Sequence, residues 1–97
     1  MLLELLDIGR NKMKLLKFYA DWCQPCKMLT KTLDGMDLPF PIEEIDIDKY
    51  MDVAVEYGVR GVPHLILMDE NNNILTRISG AVSVNTLDEA FEPFIKK

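Results

Sequence analysis

Four short runs rich in Leu and Ile occur among stretches in which apolar residues recur every three or four positions. The first pattern is typical of strands and the second of amphipathic helices. The first run shows little polar alternation, which predicts a strand buried on both faces. In chain order, the predicted elements are a strand at 15–20, a helix at 24–34, a strand at 42–47, a helix at 48–57, strands at 65–68 and 74–79, and a helix after Ser83.

The order β-α-β-α-β-β-α predicts an α/β fold. Strands joined through helices form parallel β-α-β units, and the last two strands, joined by a turn at 69–73, form an antiparallel hairpin. We therefore expect one central mixed sheet with flanking helices. The 97 residues correspond to a single domain, 1–97. Residues 1–10 are ambiguous, and their leucines fit a short helix better than an alternating strand.

Residues that favour helix ends flank the predicted helices. Pro25 suits the first turn of the first helix, and Gly35 suits a left-handed residue that ends it. Asp48 and Ser83 have side chains suited to the N-caps of the second and third helices. Pro93 lacks a backbone donor, so we expect a kink or early fraying in the third helix.

The second and third helices each carry an apolar stripe, which predicts the face that each one buries. The second helix ends at Gly58, and its stripe consists of Tyr50, Val53, Ala54 and Tyr57. The stripe of the third helix consists of Leu87, Ala90, Phe91 and Phe94.

The net charge of the chain argues against some classes of binding partner. Sixteen acidic and eleven basic residues give a net charge of −5, which argues against nucleic acid or an anionic membrane as the primary partner. The first residues include Glu4 and lack the basic region of a signal peptide. The longest apolar run elsewhere, 65–68, is too short to span a bilayer. We therefore expect a cytoplasmic protein, in a compartment where structural disulfides are rare.

The candidate chemistry lies in residues 22–27, Trp-Cys-Gln-Pro-Cys-Lys, where the first strand gives way to a helix. Disulfide exchange needs a thiolate, and the positive end of a helix stabilises a negative sulfur at Cys23. Two intervening residues bring Cys26 around the first turn, close enough to resolve a mixed disulfide. Pro25 stiffens this turn, and Lys27 adds a cation. The motif therefore predicts a nucleophile, its activation and a resolving group together.

This motif after a buried strand resembles the thioredoxin family. Residues 57–63, Tyr-Gly-Val-Arg-Gly-Val-Pro, are similar to the family segment that ends in a cis-proline opposite the cysteines. Residues 79–81, Ser-Gly-Ala, are similar to its glycine loop, and residues 46–48, Asp-Ile-Asp, also match. The matches stand in the family's order and cover roughly residue 15 to the C-terminus.

The resemblance implies a thioredoxin-like fold and a thiol–disulfide oxidoreductase that reduces protein disulfides. Cys23 would attack, Cys26 would resolve, and a Cys23–Cys26 disulfide would result, with no cofactor or metal. Pro63 would be cis and would lie against the two cysteines. The implied partners are disulfide-containing proteins and a thioredoxin reductase or another dithiol donor, and the family default is a monomer. The implied substrate groove consists of Trp22, Gly61, Val62, Pro63, Gly80 and Ala81.

The chain departs from the family pattern at several positions. Gln24 replaces the usual glycine between the cysteines, and Lys31 replaces the proline that kinks the helix. Lys17 stands where the family has a buried aspartate, and Glu44 stands where it has the lysine facing that aspartate. We expect Lys17 and Glu44 to form a partly buried ion pair beneath Cys26, with Glu44 as proton acceptor. The alternative is that Lys17 extends to the surface. The family's first strand is expected to be absent or reduced.

Other interpretations of these residues remain open. A zinc site needs two more ligands, and the only histidine is His64. His64 follows Pro63, where it either supports a cysteine thiolate or packs at a strand edge. A glutaredoxin-like enzyme would turn over with glutathione. A binding module with an idle redox motif would keep its partner after both cysteines were replaced by serine.

Overall fold

The computed structural model describes residues 13–95, which form a four-stranded mixed sheet flanked by helices. The order of elements follows the sequence prediction. The ambiguous residues 1–10 and the expected loss of a first strand lie outside the described residues. The elements are β1 (Lys14–Tyr19), α1 (Gln24–Asp34), β2 (Ile42–Asp46), α2 (Met51–Glu56), β3 (His64–Met68), β4 (Ile74–Ser79) and α3 (Val84–Ile95).

The strand order across the sheet is β2-β1-β3-β4, and it corrects one prediction. β1 and β2 form the expected parallel unit, but β3 pairs antiparallel with β1, so β2-α2-β3 is not a parallel unit. His64 pairs with Phe18, so β3 begins at the end of the sheet where β1 finishes. Because α2 has only six residues, about 9 Å of helix, the chain re-enters the sheet at the end where it left.

This topology brings three loops to one end of the sheet. The β1–α1 loop leaves β1 at that end, and the segment before His64 enters β3 there. Ser79, the last residue of β4, pairs with His64 in the antiparallel hairpin. The cysteine motif, the proline segment and the glycine loop, which are far apart in sequence, are therefore neighbours in space.

Alternating side chains of β1 serve two apolar layers, as the lack of polar alternation predicted. Leu15 packs in one layer with Leu29 of α1 and Phe91 of α3. Leu16 and Phe18 pack in the other layer, which includes Ala54 of α2. Both faces of β1 are covered, and its central residues are buried.

The ends of α1 and α2 differ from the predictions in detail. Gly35 follows α1 with φ −86°, so it does not adopt the expected left-handed conformation. The N-cap of α2 is Tyr50 and not Asp48, and no side chain caps this helix. The Asp46 carboxylate accepts the Asp48 backbone N–H at 2.9 Å, which closes a turn before the helix begins. Tyr50 is 53% exposed, so its predicted place in the core is wrong. Gly58, at φ +73°, follows the helix as expected.

The last helix begins as the sequence predicts and ends later. Ser83 Oγ accepts the backbone N–H of Thr86 at 3.2 Å, which is the geometry of an N-cap. Leu87 and Phe91 are fully buried, and Ala90 and Phe94 pack beside them. The helix continues through Pro93 to Ile95, so early fraying, one of the two expected effects of Pro93, is wrong. A proline in the last turn removes one donor only, and the buried stripe keeps this turn in place.

Candidate active site

Cys23 and Cys26 form a disulfide at the N-terminus of α1, with their Cα atoms 5.2 Å apart. Cys23 is the N-cap of the helix, and its Sγ accepts the backbone N–H of Cys26 at 3.1 Å. Pro25 lies in the first turn, where its missing N–H costs nothing. The helix dipole and this N–H donor both favour negative charge on the Cys23 sulfur. The site can therefore hold the thiolate that disulfide exchange requires.

The segment before β3 packs directly against the cysteines. Val62 contacts the buried cluster of Ala20, Cys23 and Cys26, and the Val62–Pro63 peptide bond is cis. The backbone N–H of Gly80 donates to Pro63 O at 3.0 Å, which joins the glycine loop to the proline segment.

Gly80 has φ +90°, a conformation that side chains rarely adopt. It lies on an open cavity of about 370 Å³, which is also lined by Val62, the residue that contacts the cysteine cluster. The cavity includes four of the six predicted groove residues, Gly61, Val62, Pro63 and Gly80.

The other two predicted groove residues, Trp22 and Ala81, lie outside the lining of this cavity and are exposed. Trp22 is 67% exposed, and its indole Nε1–H donates to Asp48 Oδ2 at 3.0 Å. Asp48 therefore orients the residue next to Cys23 instead of capping α2. A carboxylate on the loop after a neighbouring parallel strand was the available sequence signal for this contact.

Lys17 is buried on the face of β1 that α1 covers. It is 3% exposed, so the alternative in which it extends to the surface is wrong. Its Nζ lies 2.9 Å from Glu44 Oε2 and also donates to Thr30 Oγ1. The Thr30 hydroxyl in turn donates to the backbone oxygen of Cys26 at 3.1 Å. A chain of hydrogen bonds thus runs from Glu44 through Lys17 and Thr30 to the second cysteine.

Thr30 is the member of this chain that the sequence interpretation missed. It lies four residues after Cys26, which places both on one face of α1. Lys17, Cys26, Thr30 and Glu44 all line a second cavity of about 190 Å³. Tyr19 also lines this cavity. Its pKa is raised, mainly by desolvation and then by the negative charges of the nearby carboxylates of Asp46, Asp21 and Glu44.

His64 is bound to β4 through both ring nitrogens. Its Nδ1 lies 3.0 Å from Ser79 Oγ, and its Nε2 lies 3.3 Å from Arg77 Nη1. Because a guanidinium only donates, Nε2 is the acceptor and Nδ1 carries the hydrogen. Partial burial, and then the charge of Arg77, lowers the His64 pKa, which favours this neutral ring. These contacts agree with the strand-edge interpretation of His64.

A metal site and a membrane-spanning helix are two further features for which the described residues were informative. Within residues 13–95, no group of three or more His, Cys, Asp or Glu side chains is placed to hold a metal ion. In the same part of the chain, no helix is long and apolar enough to cross a membrane.

Comparison with known proteins decides the family. The thioredoxin family model matches residues 4–93. The chain belongs to the thioredoxin family. Thioredoxin of Pseudomonas aeruginosa is 35% identical over 77 residues, which cover 75% of this chain and 70% of that protein. The solved structure of a mutant thioredoxin from Halobacterium salinarum superposes with a TM-score of 0.81 at 32% identity, covering 98% of this chain and 86% of the other.

A further relative carries a different name. Monothiol glutaredoxin-4 of Schizosaccharomyces pombe is 32% identical over 97% of this chain, but the match covers only 41% of that longer protein. Thioredoxin-family membership and the paired Cys23 and Cys26 together establish a thioredoxin-type thiol–disulfide oxidoreductase. The mixed sheet with flanking helices is the thioredoxin fold.

Proposed function

We propose that Cys23 attacks protein disulfides and that Cys26 resolves the mixed disulfide that results. The observation that supports this division of labour is the Cys26 N–H bond to Cys23 Sγ at the N-cap of α1. In the first step the Cys23 thiolate bonds to one substrate sulfur and the other leaves as a thiolate, which takes a proton from water. In the second step the Cys26 thiolate bonds to Cys23 Sγ, and the second substrate sulfur leaves.

The substrate chain is proposed to lie across the groove formed by Gly61, Val62, Pro63 and Gly80, with exposed Trp22 and Ala81 extending it. Pro63 has no backbone N–H, and Gly80 has no side chain to obstruct an approaching peptide. Gln24 and Pro25 lie between the two cysteines and are exposed, and they are proposed as the surface that the substrate meets first. His64, the first residue of β3, lines the same cavity and is held there by its contact with Ser79 of β4.

Glu44 is proposed as the acceptor of the Cys26 proton in the resolving step. It lines the same 190 Å³ cavity as Cys26, and its carboxylate is held at the cavity by Lys17. The cavity has room for water molecules to carry the proton between them. In this proposal Lys17 has two roles: it positions the Glu44 carboxylate, and it fills the protein interior beneath residues 22–27.

The finer features of this function are also proposals. The chain is proposed to act as a single-domain monomer in the cytoplasm, where its own dithiol supplies both electrons for each substrate disulfide. No cofactor or metal enters these steps. A thioredoxin reductase or another dithiol donor would return Cys23 and Cys26 to the reduced form.

Trapping with single-cysteine variants tests the two assignments, using insulin as the disulfide substrate. Cys26→Ser is expected to accumulate a mixed disulfide with insulin, visible by mass spectrometry under non-reducing conditions. Cys23→Ser is expected to accumulate far less, and the double serine variant gives the background. Accumulation by Cys23→Ser alone would reverse the assignment of attacking and resolving cysteines.

A glutathione-coupled function is the second candidate, and the similarity to monothiol glutaredoxin-4 is the observation that favours it. Reduction of insulin driven by thioredoxin reductase and NADPH, with no turnover on glutathione, is expected for the first candidate. Turnover with glutathione and none with the reductase would favour the second.

A further inference from the structure

We propose that Lys17 stabilises the thiolate of Cys26 in the reduced protein and thereby makes the Cys23–Cys26 pair a stronger oxidant than a neutral residue at position 17 would allow. This inference rests on the proposed exchange function of the two cysteines. It concerns an equilibrium property of the pair, whereas the role proposed for Glu44 concerns the rate of proton transfer.

The burial of the two charged partners is unequal. The side chain of Lys17 is 4% exposed, whereas that of Glu44 is 53% exposed. Water and salt screen a half-exposed carboxylate more strongly than a buried ammonium group. Within this pair, the buried ammonium group of Lys17 is therefore the less screened charge, and it lines the same cavity as Cys26.

The hydrogen bonds give this charge a fixed position relative to Cys26. Thr30 accepts from Lys17 Nζ and donates to the backbone oxygen of Cys26, so the ammonium group is held one side chain away from that residue. Cys26 itself is 2% exposed, and it lines the same cavity as the cation. A buried thiolate needs such a cation because desolvation disfavours its charge.

The other charged or titratable groups around Cys26 come from each neighbouring element. On β3, His64 is bound to Ser79 and Arg77 of β4. The remaining groups are Tyr19 on β1, Asp21 after it, Lys27 on α1, and Glu44 and Asp46 on β2. None of these groups is both buried and joined to Cys26 through a hydrogen-bonded side chain, as Lys17 is.

The redox consequence follows from electron and proton balance. Reduced dithiothreitol gives two electrons to the Cys23–Cys26 disulfide and becomes a cyclic disulfide, and the two protein sulfurs become thiols or thiolates. A cation beside Cys26 favours the thiolate form and so stabilises the reduced protein. Stabilisation of the reduced form makes a disulfide more oxidising. The effect grows with pH, because a protonated thiol carries no charge for Lys17 to stabilise.

The test compares Lys17→Met with Lys31→Met, which removes the same charge from an exposed position on α1. The equilibrium constant for reduction by dithiothreitol is measured at pH 6 and pH 9 by alkylation and mass spectrometry. At pH 9, Lys17→Met is expected to lower this constant about tenfold, which is about 30 mV for a two-electron couple. The decrease is expected to be smaller at pH 6, and Lys31→Met is expected to match the unmodified protein at both.

Two further variants make the sign of the effect testable. Lys17→Arg retains a cation and is expected to restore most of the equilibrium constant. Glu44→Gln removes the opposing negative charge and is expected to raise the equilibrium constant. If urea unfolding of Lys17→Met is not cooperative, so that this variant is not properly folded, Glu44→Gln decides the test. Equal constants for Lys17→Met and Lys31→Met at pH 9, or a decrease of the same size at pH 6, would overturn the proposal. A pair that forms no reversible disulfide in the unmodified protein would instead overturn the proposed exchange function.

Discussion

Two rows of side chains on α1 face the sheet and are packed in different ways. In the apolar row, Leu29 and Leu33 join a cluster that includes Phe40 and Phe91. In the polar row, which consists of Cys26 and Thr30, the Thr30 hydroxyl accepts a hydrogen bond from the buried Lys17. Apolar burial is non-directional and does not depend on the charge of a sulfur. A buried charge needs its partners and acts on any ionisable group nearby. The apolar row therefore stabilises the fold, and the polar row adjusts the chemistry.

The largest effect on stability is expected in the cluster that buries the apolar row. Phe91 is fully buried and its ring packs edge-on against Phe40, with centroids 5.4 Å apart. Phe91→Ala is expected to lower the free energy of unfolding by about 3–5 kcal/mol. Urea unfolding measures this loss, with the exposed Val55→Ala as a control. The reduction equilibrium of the cysteines is expected to stay unchanged while the variant remains folded. A shift as large as that of Lys17→Met would contradict the contrast between the two rows.

A smaller and asymmetric effect is expected for the ion pair that contacts the polar row. Glu44→Leu leaves the buried Lys17 ammonium without its counter-charge, which is expected to cost about 2 kcal/mol. Lys17→Leu is expected to cost less, because the Glu44 carboxylate is half-exposed and water solvates it. The double variant is expected to be more stable than Glu44→Leu alone. Urea unfolding of all three variants checks this order, and equal losses for the two single variants would contradict the unequal burial.

A still smaller coupling is expected between the active-site loop and the turn before α2. The indole N–H of Trp22 donates to the Asp48 carboxylate on the surface. In a double-mutant cycle of Trp22→Phe and Asp48→Ala, a coupling energy of about 1 kcal/mol or less is expected. If this bond positions Trp22 for substrate, both single variants also raise the KM for insulin. Fully additive unfolding energies, with an unchanged KM, would show that the contact does neither.

The smallest effect is a pH dependence at His64. Its pKa is lower in the folded protein than in the unfolded chain, because partial burial and then Arg77 disfavour the imidazolium. The unfolded chain therefore gains a proton first as the pH falls below the ordinary value near 6.5. Stability from this group is present above that pH and is lost as the pH falls towards the folded pKa. His64→Asn is expected to unfold with a weaker pH dependence between pH 7 and 5. Identical pH profiles would contradict this assignment.

Local sequence patterns were sufficient to predict the element types, because β1, β3 and β4 have strand-like apolar runs and α3 has a stripe of helical period. The direction of β3 was not predictable in this way. It depends on how the short α2 returns the chain to the sheet, which is a tertiary property. Asp48 illustrates a second limit, since an acidic residue before a helix is suited both to an N-cap and to the Trp22 contact that it makes.

Spacing and helix placement were enough to identify the two cysteines, since Cys23 and Cys26 are three residues apart at a helix start. The surroundings of Cys26 could be predicted from the sequence only in part. Comparison with the family pattern indicated Lys17 and Glu44, but whether Lys17 is buried depends on α1 covering that face of β1. Thr30, which joins Lys17 to Cys26, had only its helical spacing as a signal.

The measurement that tests the central claim most directly is the reduction potential of the Cys23–Cys26 couple at pH 7 in dithiol buffers. A single reversible two-electron transition is expected near −270 mV, raised by no more than the shift of about 30 mV expected from Lys17. A value near −200 mV would place the pair in the range of about −200 to −230 mV found for glutaredoxins. The absence of any reversible transition would contradict dithiol exchange by these two cysteines.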